Sequence, residues 1–208
     1  MSTLLDLFLH LDTHLLNVIH TYGTLTYVIL FVIIFCETGL VVTPFFPGDS
    51  LLFAAGAFAA AGDLNVALLF VILAAAAILG NTANYFIGKW LGEAIFKENA
   101  RILKKEYLIR THAFYEKYGV KTIVLSRFMP IIRTVAPFVA GAGTMKVRTF
   151  MIYNAVGGIA WVTVVLFGGY FFGNIPAVRA HFSEVILLII VLSILPAVFE
   201  WWRHRRKN

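Results

Sequence analysis

Long apolar stretches alternate with short polar ones along this chain. Tyr22 to Val42, Leu64 to Leu91, Phe150 to Phe172 and Val185 to Trp202 reach or approach the roughly 20 residues that a membrane-spanning helix needs. Two further apolar stretches, Pro44 to Ala61 and Val120 to Thr144, are interrupted by proline, glycine and charge. Proline removes a backbone donor and clashes with the preceding turn, so neither reads as a straight helix. Non-helical backbone at membrane depth survives only when buried in protein or lining a wet cavity. The pattern therefore predicts an all-α integral membrane protein with about four spanning helices and two re-entrant helical hairpins. Pro44, Pro47, Gly48, Pro130 and Pro137 are the expected hairpin-breaking residues.

Two flanking segments are amphipathic. In residues 1–21, Asp6, His10, Thr13, Asn17 and His20 recur at helical steps opposite Leu4, Phe8, Leu11, Leu15 and Val18, as in an interfacial helix. Asp6, His10 and His14 share metal-ligand spacing, but without a second cluster they read as a solvated face, and no metal or cofactor is expected. Residues 92–118 mix Ile95, Phe96, Ile102, Leu103, Tyr107, Leu108, Phe114 and Tyr115 with basic charge, the composition of a helix on an anionic leaflet.

Charge distribution orients the chain. Lys89, Lys97, Arg101, Lys104, Lys105, Arg110, Lys117 and Lys121 crowd the middle, and Arg203, Arg205, Arg206 and Lys207 the tail at 203–208. Of lysines and arginines, the connections Ala60 to Leu64 and Gly173 to Glu184 hold only Arg179. The positive-inside rule then puts the middle segment and both termini in the cytoplasm. A first repeat, 22–91, carries a hairpin at about 44–61 opening outward. A second hairpin and span occupy 119–173, opening inward, and a last span covers 183–202. Opposed hairpins ending in S-L-L-F-A-A-G and A-P-F-V-A-G-A-G make the single membrane domain an inverted repeat, the architecture common among secondary transporters.

Composition agrees with this setting. The 208 residues are 60% hydrophobic and 13% charged, against about 25% charged in soluble domains. The net charge of +6 lies in the cytoplasmic segments rather than in a nucleic-acid footprint, so no nucleic-acid partner is expected. Cys36, the single cysteine, allows no internal disulfide. Met1 to His20 lacks a basic start and carries Asp6 and Asp12, so no cleavable signal peptide is expected.

Against this apolar background four ionisable residues stand out: Glu37, Asp49, Arg127 and Arg133. Each intramembrane charge costs roughly 2.5–3.5 kcal/mol even on the lenient insertion scale. Two acids and two bases kept at that cost are expected to pair, to be hydrated, or to function. A guanidinium offers a planar fork suited to phosphate, which makes Arg127 and Arg133 candidates for binding an anionic headgroup. Glu37 follows nine apolar residues, Val28 to Cys36, and is a candidate proton carrier. Asp49 follows Pro47-Gly48 and suits either proton handling or capping of the returning helix. Nucleotide-binding, serine-hydrolase, zinc-protease and dithiol motifs are absent, and no histidine lies in an apolar hairpin, so an enzyme is not expected.

The motifs F-C-E-T-G-L-V-V-T-P-F-F-P-G-D-S-L-L, G-N-T-A-N-Y-F-I-G-K-W-L-G and F-Y-E-K-Y-G-V-K-T-I-V-L-S-R-F-M-P-I-I-R-T-V-A-P-F-V-A-G closely resemble the DedA family of bacterial inner-membrane proteins. The resemblance covers about residues 5–205. It implies a VTT (SNARE-associated) fold, a multi-pass inner-membrane location and a link to lipid translocation, either of undecaprenyl phosphate or of phospholipid. It also implies dependence on the proton motive force and a part in envelope integrity and cell division. The family's essential acids match Glu37 and Asp49, and its essential arginines match Arg127 and Arg133. Many relatives carry Gly-Asp where this chain has Gly80-Asn81. The expectation is a lipid flippase or scramblase whose partners are a phosphate headgroup and protons, with a homo-oligomer left open. The rivals are a small-ion or drug–proton antiporter and a non-transporting envelope or cell-division scaffold.

Overall fold

The computed structural model describes residues 17–19, 21–40, 48–92, 105–143 and 145–173, with a few positions between 175 and 188. Among them there is no strand. The helices are α1 (Leu25–Gly39), α2 (Gly48–Ala61), α3 (Val66–Leu91), α4 (Lys105–Tyr118), α5 (Thr122–Leu125), α6 (Pro130–Ala142) and α7 (Val147–Phe172). Single 3-10 turns, Gly119–Lys121 and Ser126–Phe128, flank α5. The amphipathic segment at 1–21, Pro44, Pro47 and the last span at 183–202 fall wholly or mostly outside the described residues.

Helices α3 and α7 each run 26 residues with high mean hydropathy, about 39 Å at 1.5 Å per residue, enough to cross a bilayer. Their outward faces are apolar. Val71, Leu79, Phe86 and Trp90 on α3, and Ile152, Val156, Ile159, Val164 and Phe171 on α7, are all exposed. Their asparagines turn inward: Asn81, Asn84 and Asn154 are fully buried. A helix apolar outside and polar inside inverts the soluble pattern and suits a lipid surround.

The described residues fall into two compact units. The first comprises α1 up to Val32, α2, α3 up to Leu73 and α7 from Val162. Here α2 meets α7 backbone to backbone: a Cβ on Gly56 would collide with the Leu166 carbonyl, with the Tyr170 amide 2.9 Å away. Phe70 packs on Phe167 with ring centroids 5.8 Å apart, and the Tyr27 hydroxyl accepts from the Asn65 amide at 2.7 Å.

The second unit comprises α1 from Ile33, α3 from Ala74, α4 to α6, and α7 up to Trp161. Ile123 of α5 and Ala140 of α6 share one core cluster with Tyr85 and Phe150, so the chain between them doubles back. The turn lies at Met129, whose φ of −125° and ψ of 104° are extended. Pro130 imposes that conformation on its predecessor and then serves as the first residue of α6. A Cβ on Gly141 would collide with the Tyr85 carbonyl of α3, the same device as Gly56 in the other unit. These are the terminal glycines of the paired F-A-A-G and F-V-A-G sequences.

Pro137 was expected to break the second hairpin. Instead it lies inside α6, which continues to Ala142. Proline costs a helix one internal donor, here the one that would meet the Arg133 carbonyl, and side chains from other helices bond to the turn on either side of it. Around Pro137 the Asn84 side-chain amide donates to the Thr134 carbonyl at 2.8 Å and the Tyr115 hydroxyl donates to the Ala136 carbonyl at 2.9 Å. Gly48 is the first residue of α2, which runs uninterrupted to Ala61. On α4, Leu108, Thr111 and Tyr115 turn inward, and burial raises the Tyr115 hydroxyl well above its ordinary range.

Candidate functional site

Glu37 sits in the last turn of α1, and Arg133 in the first turn of α6, where the Pro130 start places it. Their side chains meet as an ion pair, Arg133 Nη1 to Glu37 Oε1, at 3.2 Å, with only 5% of either side chain exposed. The Trp161 indole, itself 1% exposed, lies over the same guanidinium at 4.6 Å from carbon to ring centroid. A cation held between a carboxylate and an indole face gains from both, the latter by about 0.5–2 kcal/mol.

Arg127 is placed differently. It lies in the 3-10 turn before Met129 and is completely buried. Its Nη2 donates to the Asn154 side-chain oxygen at 2.6 Å and to the Ala77 carbonyl at 3.2 Å, with the Asn154 carbonyl at 3.4 Å. In the orientation that satisfies both its neighbours, the Asn81 amide donates to the Thr38 carbonyl and its oxygen accepts from Arg127 Nη2, each at 3.1 Å. The Asn154 nitrogen donates to the Ile78 carbonyl at 2.9 Å and the Thr82 hydroxyl at 3.1 Å. Every hydrogen-bond partner of Arg127 among the described residues is thus a neutral oxygen, while its Nε and Nη1 are buried with none.

Glycine makes room for this arrangement. A Cβ on Gly158 would stand 3.2 Å from Arg127 Nη2 and 2.9 Å from Ile78 Cγ1. One on Gly157 would stand 3.1 Å from the Val124 Cα. The Gly157-Gly158 pair therefore lets α7 close over the guanidinium while presenting Asn154 one turn earlier.

The structure thus joins Glu37 to Arg133 directly and places Arg127 in a nest of amides in the same unit. Asp49 occupies the first turn of α2 in the other unit and is partly exposed. Asn154 and Trp161 were not anticipated from sequence, and Asn81 only as a departure from the usual family residue. A lone amide inside the apolar run of α7 is the signal that could have found Asn154. No cluster of potential metal ligands occurs among the described residues.

Residues 46–171 match the VTT domain model. The chain is 53% identical over 206 residues to protein DedA of Escherichia coli K12, covering 98% of this chain and 94% of that protein. This chain belongs to the DedA family. It is also 34% identical to the inner membrane protein YghB of the same strain, over 88% of this chain and 81% of that one. Identity to the inner membrane protein YqjA is 32%, over 83% and 79%. No solved structure matches. With these relatives, and with lipid-compatible faces on α3 and α7, the chain is a membrane protein.

Proposed function

We propose that this chain is a proton-motive-force-dependent transporter that carries an anionic lipid across the bacterial inner membrane. Arg127 and Arg133 take the phosphate of the headgroup, and Glu37 and Asp49 handle protons. Both termini lie in the cytoplasm, and the segments carrying Asp49 and the arginines are hairpins entering from opposite sides. The cargo is a polyprenyl phosphate, such as undecaprenyl phosphate, or a glycerophospholipid. The observation that carries this reading is the Glu37–Arg133 ion pair, buried within an apolar unit beside a second buried guanidinium.

The pair suggests how coupling works. While Glu37 is ionised it occupies Arg133. Protonation neutralises the carboxyl and frees the guanidinium for a phosphate, and a bound phosphate in turn favours the proton. Proton and headgroup then bind together, and each net charge moved through the field is driven by about 2.3 kcal/mol per 100 mV.

Reconstitution tests this. Protein in liposomes should expose the headgroups of anionic phosphate lipids to an outside reagent, faster when a proton gradient is imposed. Soluble-ion flux without headgroup exposure would replace the reading with an ion or drug antiporter. Folded protein with neither activity would leave the scaffold role.

A further inference from the structure

Helix α3 carries Gly80, Asn84 and Gly88 at successive steps of four, one stripe on one helix face. Gly80 admits the end of α1: a Cβ there would collide with the Thr38 hydroxyl and stand 2.7 Å from the Phe35 carbonyl oxygen. Gly88 admits α6, since a Cβ on it would collide with the Phe138 carbonyl oxygen. Asn84 lies midway, is fully buried, and bonds to both arriving helices. Its Nδ2 donates to the Thr134 carbonyl of α6 at 2.8 Å and to the Thr38 carbonyl of α1 at 3.4 Å. Thr38 follows Glu37 and Thr134 follows Arg133, so one neutral amide holds the backbone beside each member of the ion pair. Thr38 is in the last turn of α1, where carbonyls lack a donor from their own helix.

We infer that Asn84 is the positioning residue of the Glu37–Arg133 pair, tying α1 and α6 to α3 through bonds that do not depend on charge. Gly80 and Gly88 let the backbones approach closely, as small residues do between membrane helices, but neither supplies a directed bond. While the pair is closed, its charges help to fix the register of α1 and α6. Once Glu37 takes a proton that hold is gone. Trp161 still covers the guanidinium, and the Asn84 amide keeps the two helices where they were. Arg133 then meets a phosphate from a fixed place, with no fresh cost of ordering the site. Asn84 thereby completes the proton-coupled reading above, on which its part in transport rests.

Asn84→Leu keeps the side-chain shape and removes both bonds, while Glu37→Gln stands in for the protonated carboxyl. Spin labels on Leu40→Cys, just past α1, and Met129→Cys, just before α6, report the spacing of the two helix ends by dipolar electron paramagnetic resonance. Both positions are exposed, and a Cys36→Ala background leaves no other thiol. Each single substitution should leave the distance distribution as narrow as in its parent, because one tie remains. The Asn84→Leu, Glu37→Gln double variant should broaden it and move it to longer distances. A broad distribution in Glu37→Gln alone overturns the assignment, because Asn84 then fails to hold the open pair. One in Asn84→Leu alone, as broad as in the double variant, also overturns it, because the residue then acts without reference to charge. A narrow distribution in the double variant does the same.

Unlabelled proteins in phosphatidylcholine vesicles holding a trace of fluorescent phosphatidylglycerol, bleached from outside, separate Asn84's role from the lipid reading. Wild-type protein should move the lipid faster under an imposed proton gradient. Folded Asn84→Leu should lose that acceleration by roughly tenfold, the scale of one buried hydrogen bond. If wild type moves no lipid while only the double variant broadens, Asn84 keeps its place and the lipid reading fails. If wild type responds to the gradient and folded Asn84→Leu responds equally, the assignment is overturned and the lipid reading stands. Should Asn84→Leu not fold, Asn84→Ser, whose short hydroxyl cannot reach both carbonyls, decides by the same outcomes.

Discussion

Replacing Glu37 by glutamine should strand a buried cation, and the size of the effect can be worked from the geometry. The ion pair is 3.2 Å long with both side chains 95% enclosed, so water cannot replace the lost carboxylate. Breaking such a pair by removing one partner costs about 3–5 kcal/mol. Glutamine still offers an oxygen to Arg133 Nη1, and Trp161 still covers the guanidinium, which places the expected loss near the lower end, about 3 kcal/mol. Arg133→Gln should cost a similar amount by leaving the carboxylate. The double variant, neutral on both sides, should recover much of the sum, giving a coupling of about 2 kcal/mol or more where independent sites would add within about 0.5 kcal/mol. Reversible unfolding in detergent micelles gives all four stabilities. In liposomes, Glu37→Gln should also lose the response of headgroup exposure to an imposed proton gradient, and the double variant should not regain it. Additive losses would refute the ion pair as an energetic unit. A folded Glu37→Gln protein that still responds to the gradient would remove Glu37 from proton coupling and move that role to Asp49.

Two further outcomes follow from packing. Gly141→Ala drives a methyl into the Tyr85 carbonyl, a backbone atom that cannot rotate away, and should destabilise the protein by at least the 1–3 kcal/mol typical of overpacking; an unchanged thermal midpoint in detergent would show that α3 and α6 are not in backbone contact. Trp161→Leu keeps an apolar filler but removes the ring face over Arg133. It should cost about 0.5–2 kcal/mol beyond the lost area and leave the Glu37–Arg133 coupling measurable, whereas a coupling reduced to nothing would mean the indole holds Arg133 in place.

The parts of this molecule legible in the sequence are those where a local departure carries large energy. A carboxylate after nine apolar residues and two arginines in a proline-broken stretch cannot be accommodated cheaply in lipid, so Glu37, Arg127 and Arg133 announced themselves. Met129-Pro130 marked a turn because proline restricts its predecessor wherever it occurs. Pro137 misled for the complementary reason. An internal proline need not end a helix that is packed into a tertiary core, and the side chains that bond to this turn, Asn84 and Tyr115, come from more than 20 positions away. The amide nest was hidden in the same way. Asn154 meets Arg127 across 27 positions and the Ile78 carbonyl across 76, and neither separation leaves a periodic trace. That each arginine would meet a different kind of partner was likewise invisible, since both sit in one continuous motif.

The nest around Arg127 also bears on how the chain is made. Asn81 and Ala77 are synthesised before the arginine, but Asn154, which makes its shortest contact, comes 27 residues later. At about 5–20 residues per second, a ribosome needs at least a second or more to supply it. Until then the guanidinium has only part of its shell, and its charge is half dressed. If the stretch from Thr122 to Ala142 enters the membrane as proposed, its insertion is tied to the arrival of α7, and the segment has reason to wait beside the insertion machinery until that helix is at hand.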